Sequence, residues 1–326
     1  MREYFAAFAL AVVTAVAAPP QTDEWQQQIN QGAVAETLGE YTAAAAAYQV
    51  AARISDGFDH TDKRRAVTWN ILGTVYDALG RFADAEGAYR RGLKEAAASG
   101  GKSSAQYALV LGNLGAVYAE TGQIAAGEKL LREAVAIHAV TDPPDELHAA
   151  IAQNALAEVL TAAAKYKEAD SLLSKALPVL EKHPNAGAEA AIANHNLALA
   201  RFCQNNYEDA RRLFQHALTM IEHRWGPDHP LLIRTLNGQA LLAARTGRRE
   251  EACEKLRRAL DLAEKRLGPD HPVYATLLGN YASLLRQGGD KSQAKVLETR
   301  SSQILKDSGR RNGTGAVVDI RSLQAK

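Results

Sequence analysis

The sequence predicts an all-α chain, a right-handed superhelical solenoid of about seven helical-hairpin repeats. Three observations carry that expectation. A small residue recurs in register at Ala44, Ala85, Gly127, Ala169, Ala210, Ala252 and Ala294, in steps of 41 or 42. Within each copy the apolar residues return twice at helical spacing, as two amphipathic helices place them. Composition agrees: 47% of residues are apolar, mostly Ala and Leu, and only 10 are the helix-breaking Pro. Neither helix of a hairpin buries its apolar face alone, so stacked neighbours must complete the core.

Taken in order, the copies begin at Gln27 (a degenerate one), Thr68, Leu111, Ala152, Asn194, Thr235 and Leu278, and the array spans residues 25–307. In the second copy Trp69, Leu72, Gly73 and Tyr76 share a helical face. Gly80 ends that helix, and Ala85, Tyr89 and Gly92 line the next. Small residues at 73 and 85 let the two helices approach closely. Between later copies stand WGPDHP (225–230) and LGPDHP (267–272). In each, Gly226 or Gly268 suits a left-handed helix cap, and Pro227 or Pro269 blocks continuation. Asp228 or Asp270 is expected to accept backbone N–H bonds at the next helix start, with Pro230 or Pro272 in its first turn. A metal held by His229, His271 and the two Asp is the competing reading. Capping accounts for every letter except His, so no metal is expected.

The second copy resembles the tetratricopeptide repeat, matching its W-x2-L-G-x2-Y…A-x3-F/Y signature as Trp69, Leu72, Gly73, Tyr76, Ala85 and Tyr89. The third keeps Leu114, Gly115 and Tyr118. The period of 41–42 and the GPDHP connector resemble the longer, kinesin-light-chain-like variety. Arg201 and Ala243 replace the Tyr118 position in later copies, so packing there must differ. HEAT or armadillo helices share the period, but the Gly73/Ala85 pairing speaks against them.

Two terminal segments fall outside the array. Residues 1–17 read as an export signal: Arg2, an apolar run from Tyr4 and the small Ala15 and Ala17 before the cut, too short to span a bilayer comfortably. Export to a bacterial envelope compartment is expected, without stable membrane insertion. Residues 308–326 read as an extended or disordered tail. Cys203 and Cys253 lie in helical apolar patterns and read as small buried thiols. The formal charge of +1 argues against nucleic acid as partner.

Catalytic patterns are missing from the sequence. SGGKSS (99–104) ends like a phosphate loop but has Ala96 where that loop needs Gly, so it reads as an inter-repeat connection. No cofactor is expected. Function is sought instead on the first helix of each hairpin, which a solenoid turns to its concave side. There Asn30, Asn70, Asn113, Asn154, Asn196, Asn237 and Asn280 form a ladder. Amides donate and accept at once, so such a ladder suits an extended peptide backbone, bonds between adjacent repeats, or both. Residues 21–160 carry 11 Lys/Arg against 18 Asp/Glu, whereas residues 201–300 carry 17 against 12. Arg234, Arg245 and Arg286 lie along the later first helices. Resemblance to carboxylate-clamping tetratricopeptide domains implies that Asn and cations there hold an acidic or C-terminal carboxylate. The expected function is a non-catalytic protein-interaction scaffold. The alternatives are a peptide or small-ligand sensor whose superhelix tightens on binding and, behind it, a cryptic hydrolase.

Overall fold

The computed structural model describes residues 20–38, 40–141, 145–184 and 186–307. Among these residues the chain forms fourteen helices and no strand. They are α1 (Pro20–Thr37), α2 (Tyr41–Ser55), α3 (Lys63–Ala78), α4 (Phe82–Gly100), α5 (Ala105–Glu120), α6 (Ile124–Val140) and α7 (Glu146–Ala162). There follow α8 (Tyr166–Lys182), α9 (Gly187–Cys203), α10 (Tyr207–Trp225), α11 (Leu232–Arg245), α12 (Arg249–Leu267), α13 (Pro272–Gln287) and α14 (Lys291–Asp307). The helices fall into two compact units. The first runs to residue 155 apart from residues 120–124, which belong with 156–307 in the second. The proposed signal (1–17) and tail (308–326) lie outside the described residues.

In the first unit α1 packs on α2 and α3 on α4. Small residues set these approaches. A Cβ at Gly73 would stand 2.7 Å from the Tyr89 ring, so it is the ring of the second helix, more than Ala85, that Gly73 admits. A Cβ at Gly127 would stand 2.5 Å from the Gly115 carbonyl oxygen, so there backbone meets backbone. The core holds Trp25, Ile29, Tyr48, Ile71, Leu72, Val75 and Tyr89. Trp25 donates its indole N–H to Thr68 Oγ1 at 2.9 Å, tying α1 to α3 and satisfying a polar atom that burial would otherwise strand.

Buried Arg65 staples the α2–α3 connection. Its Nε and one Nη donate to Glu95 at 2.8 and 3.2 Å, and the other Nη donates to the carbonyls of Ser55, Asp56 and Phe58. Those carbonyls, of the last residue of α2 and of the loop after it, lie where no intrahelical donor remains. The charge thus finds a carboxylate and the helix end finds donors.

In the second unit α9 packs on α10, α11 on α12 and α13 on α14. The first helices α9, α11 and α13 are buried on almost every face, whereas α10 and α12 bury a single stripe. Gly238 on α11 makes room for the fully buried Phe214 ring of α10, an approach between successive hairpins where Gly73–Tyr89 lies within one.

The GPDHP connectors end helices as expected. Gly226 and Gly268 take φ of +88° and +89° as C-caps of α10 and α12, and Pro272 opens α13. The capping side chain differs from the expected Asp. His271 is the N-cap of α13, its Nδ1 accepting from Val273 N–H at 3.1 Å. His229 Nδ1 accepts from Leu231 N–H at 3.3 Å, and its ring stacks on Trp225. An imidazole nitrogen two residues before the amide reaches it as an Asp carboxylate would. The unexplained letter is therefore the cap of α13, whereas α11 starts later, after Leu231, with Pro230 outside its first turn and no capping side chain. Among the described residues no group of three or more His, Cys, Asp and Glu is placed to hold a metal.

SGGKSS is a connection between helices: Gly101 (φ +78°) caps α4, and Ser104 Oγ accepts from Tyr107 N–H at the start of α5. Cys203 and Cys253 form no disulfide with each other and are half-buried, not buried as expected. No helix among the described residues is long and apolar enough to cross a membrane.

Candidate interaction site

Every Asn from the second copy onward sits at the same level of its helix, and all of Asn70, Asn113, Asn154, Asn196, Asn237 and Asn280 are buried. Asn113 Nδ2 donates to Asn70 Oδ1 at 2.9 Å in the first unit, and Asn280 Nδ2 donates to Asn237 Oδ1 at 2.8 Å in the second. A carboxamide carries donor and acceptor together, so one residue type extends such a chain from repeat to repeat. Asn30, in the first helix, is exposed and accepts from Gln26.

The three cations occupy different settings. Arg245 is exposed and donates from Nε to the Tyr207 hydroxyl at 3.2 Å. Arg286, also exposed, reaches across its hairpin to Glu298, with Nε 3.1 Å from Oε1 and a second contact through Nη2. Arg234 alone is buried. Its Nη2 donates to Glu158 Oε1 at 2.9 Å and to Asn196 Oδ1 at 3.3 Å. The Arg234 pair joins α11 to the last turns of α7, 76 residues away.

Repeat register makes that pair stand out. Arg234 lies three residues before its Asn; the same place holds Gln27, Val67, Val110, Ile151, Ala193 and Leu277. Glu158 lies four after its Asn, where the other copies hold Val34, Thr74, Val117, Ala200, Leu241 and Leu284. Each is the only charge at its position, and they meet. Glu158 was not among the expected site residues; aligning the copies by their Asn would have exposed it.

His195 completes the surroundings. It is buried against the Phe214 ring, centroids 5.3 Å apart. Burial, and then the Arg234 charge, hold its pKa well below the ordinary histidine range, so it is neutral near pH 7.

A family model described as tetratricopeptide repeat matches residues 106–182, 189–252 and 235–307. The kinesin light chain-related protein 1 of Arabidopsis thaliana is 25% identical over 153 residues; the match covers 46% of this chain and only 25% of that relative's length. A Rap protein complexed with Competence and Sporulation Factor superposes with a TM-score of 0.68 at 15% identity, covering 89% of this chain and 78% of that one. The Rap conjugation gene regulator of plasmid pLS20, in complex with the Phr* peptide, gives 0.56 at 13% identity, covering 90% and 97%. These likenesses establish an all-α helical-repeat fold.

Proposed function

We propose that this chain, which belongs to the tetratricopeptide repeat family with a long, kinesin-light-chain-like repeat, is a scaffold that acts by binding and not by catalysis. It holds an extended peptide or a partner's segment along the first helices of its hairpins. Family membership supports the general reading, as does likeness in fold to a regulator solved with a bound peptide. The observation that carries the finer reading is Arg234, a buried arginine already engaged with a carboxylate. An acidic or C-terminal carboxylate ligand suits Arg234 together with Arg245 and Arg286, because guanidinium–carboxylate bonds are charge-assisted and directional. In this reading the buried Asn ladder lies beneath the groove and fixes the spacing of its helices. Export, supported by the composition of residues 1–17, places the partner outside the cytoplasm.

The test is affinity capture with the full chain, followed by titration of the recovered partner. Arg234→Ala and Arg286→Ala are expected to weaken binding about ten-fold or more at low salt, and less at high salt. Unchanged affinity at both salts would sink the carboxylate reading. A fusion of residues 1–20 to a reporter that works only outside the cytoplasm tests export; a cytoplasmic signal reverses it.

A further inference from the structure

The place where a ligand carboxylate belongs is filled by the chain itself. We propose that Arg234 and Asn196 form a carboxylate-binding site plugged by Glu158, and that a ligand's carboxylate binds by displacing that side chain. The inference rests on the scaffold reading above and adds how its site is regulated.

Three features of the pair support exchange over permanence. First, the two charges break the repeat at two separate positions and serve each other, so they are not part of the framework that the other copies share. Second, Glu158 stands on the solvent side: its side chain is 24% exposed, against 8% for Arg234. An incoming group therefore meets the plug before the arginine. Third, Glu158 uses the guanidinium poorly. Its contact is to Nη2, and Arg234 Nε is buried without a hydrogen-bond partner among the described residues. A guanidinium offers a fork of parallel N–H groups that matches both oxygens of one carboxylate. A ligand carboxylate seated across Nε and Nη2 would satisfy the stranded donor that Glu158 leaves. Asn196 and neutral His195 bring no negative charge to oppose it. Displacement would also free the end of α7 from α11, linking occupancy to the tie between non-adjacent helices.

The experiment uses the full chain and fluorescent hexapeptide pools: neutral sequences ending in a free carboxylate, the same sequences amidated, and acidic sequences amidated. The variants are Glu158→Gln, which keeps the plug's shape without its charge, and the exchange Glu158→Arg/Arg234→Glu, which keeps an ion pair. Glu158→Gln is expected to bind carboxylate-bearing pools at least ten-fold more tightly than wild type. The exchange variant should lose that binding while remaining folded by circular dichroism, and the neutral amidated pool should bind none of the proteins. The free-carboxylate and acidic-amidated arms distinguish a chain terminus from an acidic side chain as ligand. In wild type, saturation should speed hydrogen exchange in the last turns of α7. Equal affinity of wild type and Glu158→Gln, or binding that survives the exchange, would overturn the plug. So would binding by no variant, while a partner recovered by capture would leave the scaffold reading standing.

Discussion

Among the described residues each unit buries one arginine against a glutamate, and the two pairs are built to different ends. In the first unit Arg65 and Glu95 are both deeply buried and meet through two nitrogens; the remaining guanidinium nitrogen serves three carbonyls. In the second unit Arg234 meets Glu158 through one nitrogen, its Nε has no partner among the described residues, and its carboxylate is partly open to solvent. The first pair joins helices of one hairpin and caps a third. The second reaches across two repeats. Identical chemistry makes a staple where every donor is used and an exchangeable contact where one is not.

The largest expected effect separates these roles. Arg65→Ala leaves the Glu95 carboxylate buried with only Arg91 beside it and strips donors from the end of α2. A loss of about 3–5 kcal/mol is expected, the cost of breaking a buried pair from one side. Hydrogen exchange should locate the loss in α2–α4, since repeat arrays do not unfold as one unit. By contrast, Glu158→Leu with Arg234→Met removes both charges together and should be neutral or stabilising by about 1–4 kcal/mol. A double variant destabilised as much as Arg65→Ala would erase the distinction.

Acid should weaken both units through buried neutral histidines. Burial, with the neighbouring His148 adding to it, holds His138 in the first unit at about 4. The unfolded chain takes up this proton near pH 6.5, whereas the folded chain resists until about 4, so stability falls as pH drops through that window. The loss approaches roughly 3 kcal/mol at its foot. His195 is held low in the second unit for the same first reason. Urea midpoints between pH 7 and 4 should flatten in His138→Leu and, separately, in His195→Leu; slopes indifferent to both changes would contradict the assignment.

The amide ladder should treat the units alike. Asn113→Ala and Asn280→Ala each leave a buried partner carboxamide short of a bond, costing about 1–3 kcal/mol. A loss confined to one unit would mean the ladder is framework only there. The smallest effect is His271→Ala, which removes the N-cap of α13 for about 1 kcal/mol in a thermal melt.

How much of this was legible in the sequence depends on the distance over which each feature is set. Helical hairpins are announced locally by period and by the small residues at Gly73, Gly115, Gly127 and Gly238, where close approach leaves no room for a side chain. Left-handed Gly226 and Gly268 were equally plain, because a conformation that favours Gly is written by Gly. The cap itself was missed, since His shares the reach of Asp but is seldom thought of as a cap. For the Asn ladder, register was visible but direction was not. Amides suit a ligand and a neighbour equally, and only packed coordinates show Asn70 and Asn237 accepting from the next repeat. Arg234 is marked by its charge on a first helix, while its pairing with Glu158 is not, because a partner 76 residues away leaves no local trace.

The comparison of the two arginines is tested most directly by their Nε–H resonances in a nitrogen-15 spectrum of the full chain, titrated with the free-carboxylate hexapeptide pool. The Arg234 signal should move and sharpen as its Nε gains a partner, with that of Arg65 unchanged throughout. Arg234 remaining still, or both signals moving together, would contradict an exchangeable carboxylate site in the second unit.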